Sequence, residues 1–219
     1  MKEIFRCQSK YNDIVIVDTA TWGKALILGG ELQSTEKDHH IYDRALCFSA
    51  MTNSMKHILV LGSGEGSVAR MILKSDPDKR VAMVEIDQTV VDVCKKEIPS
   101  MGGSIWEHPN LNLIIDDAFA FVDKCSEKFD AVISDLSSPF PGSSSDPLYG
   151  PQFYDKVKSI LKPKGLFVMQ ATWKPDRYIK GFQSSFSNVQ AWSEWVPSFG
   201  VPWYFFGGSY EPKIKLEAV

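Results

Sequence analysis

The sequence predicts an α/β protein built on a parallel sheet with helices on both faces, preceded by a small β appendage. Three observations point to it. From residue 57 onward, short apolar runs alternate with segments of helical periodicity, the pattern of strands joined by helical crossovers. A glycine-rich turn, Gly62-Ser63-Gly64-Glu65-Gly66, follows the first of those runs and opens a helical segment. The first fifty residues differ in kind, with short β-type segments punctuated by Gly23 and the Gly29-Gly30 pair.

Taken in order, YNDIVIVDTATWGKALILGGELQST (11–35) reads as two or three short strands. DHHIYDRALCFSAMT (38–52) reads as a helix, with Ile41, Ala45, Phe48 and Met51 near helical spacing. Residues 1–52 thus form a small β unit with its connecting helix, too small to fold well alone, and 53–219 form the main domain. There HILVLG, RVAMVEID, LNLIID, FDAVISD and GLFVMQ are buried-type strands. SVARMILKS, QTVVDVCKKEI, a short AFAFVDKC and PQFYDKVKSILK are the helices between them. Lys162-Pro163-Lys164-Gly165 marks a helix stop before the last of these strands. Beyond residue 170 the pattern is aromatic and irregular, with a strand-like WYFFGGS near the end. The Pro/Gly/Ser-rich loop 137–150 lies just past a strand's carboxyl end, where open α/β sheets bind ligands, and is a candidate lid.

Composition narrows the function classes. A chain of 219 residues with 44% hydrophobic residues supports one α/β domain with an appendage. A net charge of −3 offers no basic footprint for nucleic acid. Four scattered cysteines with no CxxC pair suggest reduced thiols and neither a zinc site nor a disulfide framework. With no apolar leader and no run of about 18 apolar residues, the expectation is a soluble cytoplasmic protein without membrane contact.

The chemistry lies at the strand ends. Gly62 and Gly64 allow a nucleotide close to the backbone, though glycine turns of this sort also serve packing alone. Glu85 ends the second strand at the offset where an acid accepts from ribose hydroxyls. Asp117 follows the third strand, where a carboxylate can receive an adenine amine. Each acid could instead be a solvated strand end or a helix N-cap. A nicotinamide dinucleotide site wants Gly or Ala where Ser67 stands. Glu65 would repel the carboxylate of S-adenosylmethionine and attract the ammonium of its decarboxylated form, or it merely complements the helix dipole. Asp135 ends the fourth strand, where it could orient an amine and take its proton, or cap the lid loop.

Several stretches together resemble the polyamine aminopropyltransferase (spermidine/spermine synthase) family. They are IVIVDTATWGKALILGGELQSTEKDHHIY, HILVLGSGEGSVARMILK, VAMVEIDQTVVDVCKKEI, LIIDDAFAF, FDAVISDLSS, LYGPQFYDKVKSILKPKGLFVMQ and VPSFGVPWYFFGGS, in the family's order over nearly the whole chain. The resemblance implies a Rossmann-like, class I methyltransferase-type sheet and transfer of an aminopropyl group from decarboxylated S-adenosylmethionine to a polyamine, releasing methylthioadenosine. It implies that Gln33, Glu65, Glu85 and Asp117 contact the donor, and that Asp135 is the acid at the reacting amine. Tyr42 would line the pocket and Gln170 would lie near the acceptor. It further implies no bound prosthetic group, no metal and a homo-oligomer, taken as a dimer.

The chain departs from the family at the acceptor end. Asp43 stands where Gln or His is usual, Ser138 where a second acid is usual, and Phe199 where tyrosine is common. The family's N-terminal hairpin is read as missing or shortened. Without an acid at 138, a longer acceptor such as spermidine is favoured, with Asp146 as a substitute carboxylate. An S-adenosylmethionine-dependent methyltransferase and a nucleoside-binding protein without catalysis are the competing readings.

Overall fold

The computed structural model describes residues 1–139 and 145–209, so the tip of the expected 137–150 lid lies outside the described residues. The chain builds two sheets. The first is an antiparallel meander of β1 (Lys2–Gln8), β2 (Asp13–Thr19), β3 (Gly23–Leu28) and β4 (Glu31–Thr35), in the order β1-β2-β3-β4. Alternation along β2 sends Ile14 and Ile16 to one face and Val15 and Val17 to the other. One strand that the sequence pattern did not show, β1, precedes the segment and pairs with β2 from Lys2 to Gln8. Only Phe5 and Cys7 of β1 join the apolar cluster, so an edge strand with two half-buried side chains left too faint an alternation to read.

The second sheet holds β5 (His57–Gly62), β6 (Arg80–Glu85), β7 (Leu111–Ile115), β8 (Phe129–Asp135), β9 (Leu161–Gln170), β10 (Asn188–Val196) and β11 (Val201–Ser209). Their order is β10-β11-β9-β8-β5-β6-β7. The run from β9 to β7 is parallel, as expected, whereas β11 and β10 join antiparallel. A tight turn over 197–200 can link only antiparallel strands, since a parallel return needs a crossover.

The helices are α1 (His39–Cys47, continued by a 3-10 turn Phe48–Met51), α2 (Ser67–Ser75), α3 (Gln88–Glu97), α4 (Pro99–Gly102), α5 (Ala118–Lys124), α6 (Pro151–Ser159) and α7 (Asp176–Ser185). One face of the large sheet is covered by α1 and α2 and the other by α5, α6 and α7. The small sheet seats Ile14, Ile16 and Leu26 on Val90, Val93 and Ile98 of the α3–α4 region, which closes the cleft above β5 and β6. Among the described residues no helix is long and apolar enough to cross a membrane.

Two local readings change. The helix stop at 162–165 is a bulge inside β9: α6 ends at Ser159, Phe129 already pairs with Leu161, and the register shifts before Ala131 with Lys164 at φ 67°. Helix α7 is an addition to the pattern expected from the sequence, and Tyr178, Phe182 and Ser185 bury along it at helical spacing. Gly181 masked it. That glycine lies beside Pro151, which lets α7 pack closely on α6.

Candidate active site

The strand order reverses between β5 and β8, and this switch point lines up Gly62 with Asp135 at the carboxyl ends of the two strands. Gly62 adopts φ 84°, and a Cβ there would lie 2.3 Å from the Asp135 carbonyl oxygen. The glycine is therefore demanded by the neighbouring strand, and its absent side chain brings the loop against the acid. Gly64 plays the same part toward β6, since a Cβ would lie 3.0 Å from Glu85 Oε2.

One cavity of about 420 Å³ opens above these strand ends. Gly62, Gly64, Glu65, Glu85 and Asp117 line it on the β5–β7 side, and Gln33 reaches it from β4. On the other side stand Tyr42, Asp43, Asp135, Ser138, Gln170 and Phe199. All the donor- and acceptor-site residues named from the sequence except Asp146 thus face the same space. Asp146 does not line it and pairs with Arg177 at 3.4 Å, so it does not supply the carboxylate expected of it.

Burial governs the electrostatics. Desolvation raises the Asp135 carboxyl to about 6 against the hydrogen bond from Tyr42, while the Asp43 charge pushes the same way. Tyr42 Oη donates to Asp135 Oδ1 at 2.6 Å, and its phenol is held well above its ordinary value by burial and then by Asp135. Glu65 is pushed up to about 8, by burial first and then by the charges of Asp135 and Asp43. Burial raises Glu85 to about 7, while Glu85 Oε1 accepts from the Asp87 amide at 3.0 Å. Asp117 is an N-cap as well as a lining residue, its Oδ1 accepting from the Ala120 amide at 2.8 Å. His39 Nδ1 lies 2.7 Å from Asp43 Oδ2.

Sequence reading missed three contributors. Asp38 precedes α1 like a cap but caps nothing. It accepts instead from Thr35 Oγ1 at 2.5 Å, the Ser198 amide at 2.7 Å and Ser198 Oγ at 3.0 Å. His39 and Trp203 also line the cavity. The HH doublet was a visible signal for His39, but Trp203 looked like one more strand aromatic. Gln170 is 2% exposed and its amide is saturated. It donates to Leu136 O at 2.6 Å and Tyr149 Oη at 2.5 Å, and accepts from the Thr172 amide at 2.9 Å and Trp203 Nε1 at 3.1 Å.

Fold and cavity together define a Rossmann-like enzyme with an acid-lined site at the sheet's switch point. Two family models match, the spermine/spermidine synthase domain over residues 39–208 and the spermidine synthase tetramerisation domain over 2–36. A polyamine aminopropyltransferase of Pyrobaculum neutrophilum is 37% identical over 94% of this chain and 75% of its own length. Thermospermine synthase ACAULIS5 of Arabidopsis thaliana is 36% identical over 95% of this chain and 65% of its own length. A crystal structure of spermidine synthase with the transition-state analogue AdoDATO superposes with a TM-score of 0.88 at 22% identity, covering 97% of this chain and 75% of that one. The chain belongs to the spermine/spermidine synthase family. It is a transferase of the polyamine aminopropyltransferase type, an enzyme of polyamine biosynthesis.

Proposed function

We propose that this site takes decarboxylated S-adenosylmethionine as donor and a polyamine as acceptor, and releases methylthioadenosine. The observation that carries the reading is charge: eight carboxylates line the cavity and, among the described residues, no lysine or arginine does. Such a cavity attracts cationic amines and repels the carboxylate of intact S-adenosylmethionine. That a spermidine synthase of this fold has been solved in complex with the transition-state analogue AdoDATO agrees with this reading.

In this reading Glu85 receives the ribose hydroxyls, Asp117 the adenine amine through its uncapped oxygen, and Gln33 closes over the nucleoside. Glu65 meets the donor's ammonium. The acceptor nitrogen attacks the carbon next to sulfur; the C–N bond forms as the C–S bond breaks, and the electron pair leaves on sulfur as a neutral thioether. Asp135, oriented by Tyr42, accepts the proton of the attacking amine and passes it to solvent. Residues 53–219 hold most of the carboxylates, and residues 1–52 supply the Tyr42–Asp43 wall.

The match of residues 2–36 to a tetramerisation domain supports a homo-oligomer, and a tetramer in place of the expected dimer. Four free cysteines agree with a cytoplasmic setting. The chemistry is tested by incubating the protein with decarboxylated S-adenosylmethionine and a panel of amines, followed by product mass analysis. A product heavier by one aminopropyl group is expected. A methylated product from S-adenosylmethionine, or no product from any amine, overturns the proposal.

A further inference from the structure

Two buried hydroxyls in the cavity wall have no hydrogen-bond partner among the described residues, Ser34 on β4 and Ser63 in the glycine loop, and they are 6% and 4% exposed. Buried polar groups are ordinarily paired, so an unpaired one facing a cavity calls for a ligand. Ser63 carries a second mark. Its φ is 64°, in the left-handed region that glycine adopts freely and a side chain disfavours. Gly62 and Gly66, at φ 84° and 81°, meet the same demand of the loop with glycine. The turn is closed by the Gly66 amide, which donates to Ser63 O at 2.7 Å. A side chain kept where glycine would be at ease marks a residue with a task beyond the turn.

Position decides what this hydroxyl can meet. Gly62 pairs with Asp135 across β5 and β8, so Ser63 begins the loop beside that acid. Its hydroxyl is close enough to draw the Asp135 carboxyl down, without a hydrogen bond between them. A primary amine delivered to Asp135 attacks carbon with its lone pair and carries two N–H groups. One N–H meets the carboxylate. The other is left unpaired in a buried site unless a second acceptor stands there. A hydroxyl fills both needs, since it donates its own hydrogen to Asp135 and accepts from the nitrogen with a lone pair. As the C–N bond forms the nitrogen becomes cationic, and its hydrogen bonds strengthen.

We infer that Ser63 is a further catalytic residue, whose hydroxyl accepts a hydrogen bond from the attacking nitrogen and donates one to Asp135. The inference rests on the proposed function and deepens it. Asp135 removes one proton from the nitrogen, and the remaining hydrogen stays bonded to Ser63 Oγ. Ser63→Gly and Ser63→Ala are compared with the parent, each as the full chain, in steady-state assays with decarboxylated S-adenosylmethionine and spermidine. Calorimetric titration of methylthioadenosine and thermal melts accompany the kinetics. Turnover should fall about tenfold or more in both variants, with kcat and kcat/KM for spermidine lowered alike, because the bond is strongest once the nitrogen is charged. Methylthioadenosine affinity should not change, and Ser63→Gly should melt no lower than the parent, since glycine suits the left-handed turn. A parent-like kcat in either variant overturns the inference. So does a parallel loss of methylthioadenosine affinity, or a lower melting temperature in Ser63→Gly, since either makes the hydroxyl a prop of the loop. Parent protein that gives no aminopropyl product from any amine refutes the function beneath the inference instead, a separate outcome.

Discussion

Asp135 and Glu65 share one buried cavity, but their neighbours give them different work. Asp135 has a hydrogen-bond donor in Tyr42, which keeps its raised carboxyl near 6 and able to ionise at neutral pH. Asp135→Asn should lower turnover by about 10²- to 10⁴-fold, the usual weight of a general base. Methylthioadenosine affinity should change far less, which steady-state kinetics and calorimetry together would show. Among the described residues Glu65 has no such strong donor, its one side-chain partner there being Ser67 Oγ at 3.4 Å, and its carboxyl sits near 8. A donor ammonium would favour its ionised form, and a donor carboxylate would oppose it. Like charges about 4 Å apart cost on the order of 4 kcal/mol at an effective dielectric near 20. Glu65→Gln should therefore narrow the preference for decarboxylated over intact S-adenosylmethionine by about tenfold or more, read from four calorimetric titrations at pH 8. An unchanged ratio would leave Glu65 as a helix-terminus acid only. At this scale the strand-end acids were legible because each closes its own apolar run. Asp38 was not legible, since its partner Ser198 lies 160 residues away.

Elements meet through their glycines. Gly62 ends β5 in the left-handed region with no room for a Cβ against Asp135 O. Gly62→Ala should strain the backbone by about 1–3 kcal/mol before the clash is counted. Both the melting temperature and turnover should fall, since relief of the clash displaces Asp135. Near-normal values for both would show that the loop approaches the acid less closely. Gly181 is the opposite case. It is helical in α7, and a Cβ there would meet Pro151 Cδ at 3.4 Å, an ordinary contact. Gly181→Ala should stabilise by about 0.5–1 kcal/mol through reduced unfolded-state entropy, seen as a higher melting temperature with unchanged kinetics. A lower melting temperature would mean that the α6–α7 contact cannot yield. The same glycine explains why α7 escaped notice while α2 and α3 did not. Their apolar residues repeat without interruption, whereas α7 relies on two aromatics whose burial depends on β9 and β11.

Across the whole molecule, the acid-lined cavity ties stability to pH. Folding raises Glu65 from 4.5 to about 8 and Glu85 from 4.5 to about 7, and Asp135 from 3.8 to about 6. The folded protein then holds protons that the unfolded chain has released. The stability these groups contribute is complete below their unfolded values and is lost as pH rises through the folded ones. Melts of the ligand-free protein should show this part of the stability declining from about pH 4.5 to 8, with the upper end of the decline removed in Glu65→Gln. A melting temperature that rises through that window in both proteins would contradict it. Decarboxylated donor should oppose the decline, because its ammonium favours ionised Glu65 and binding releases a proton.

Local pattern sufficed for the central sheet, the glycine loop and the acids at its strand ends. Each rests on local periodicity or on a residue adjoining its own strand, and the resemblance drew the same residues toward one reaction. Tertiary structure alone decided the β1 edge, the antiparallel β10–β11 hairpin, the saturation of Gln170 and the diversion of Asp146 to Arg177. Each of these depends on which distant groups meet. A buried amide is satisfied, or a carboxylate paired, only by partners that the closed sheet brings within hydrogen-bonding distance.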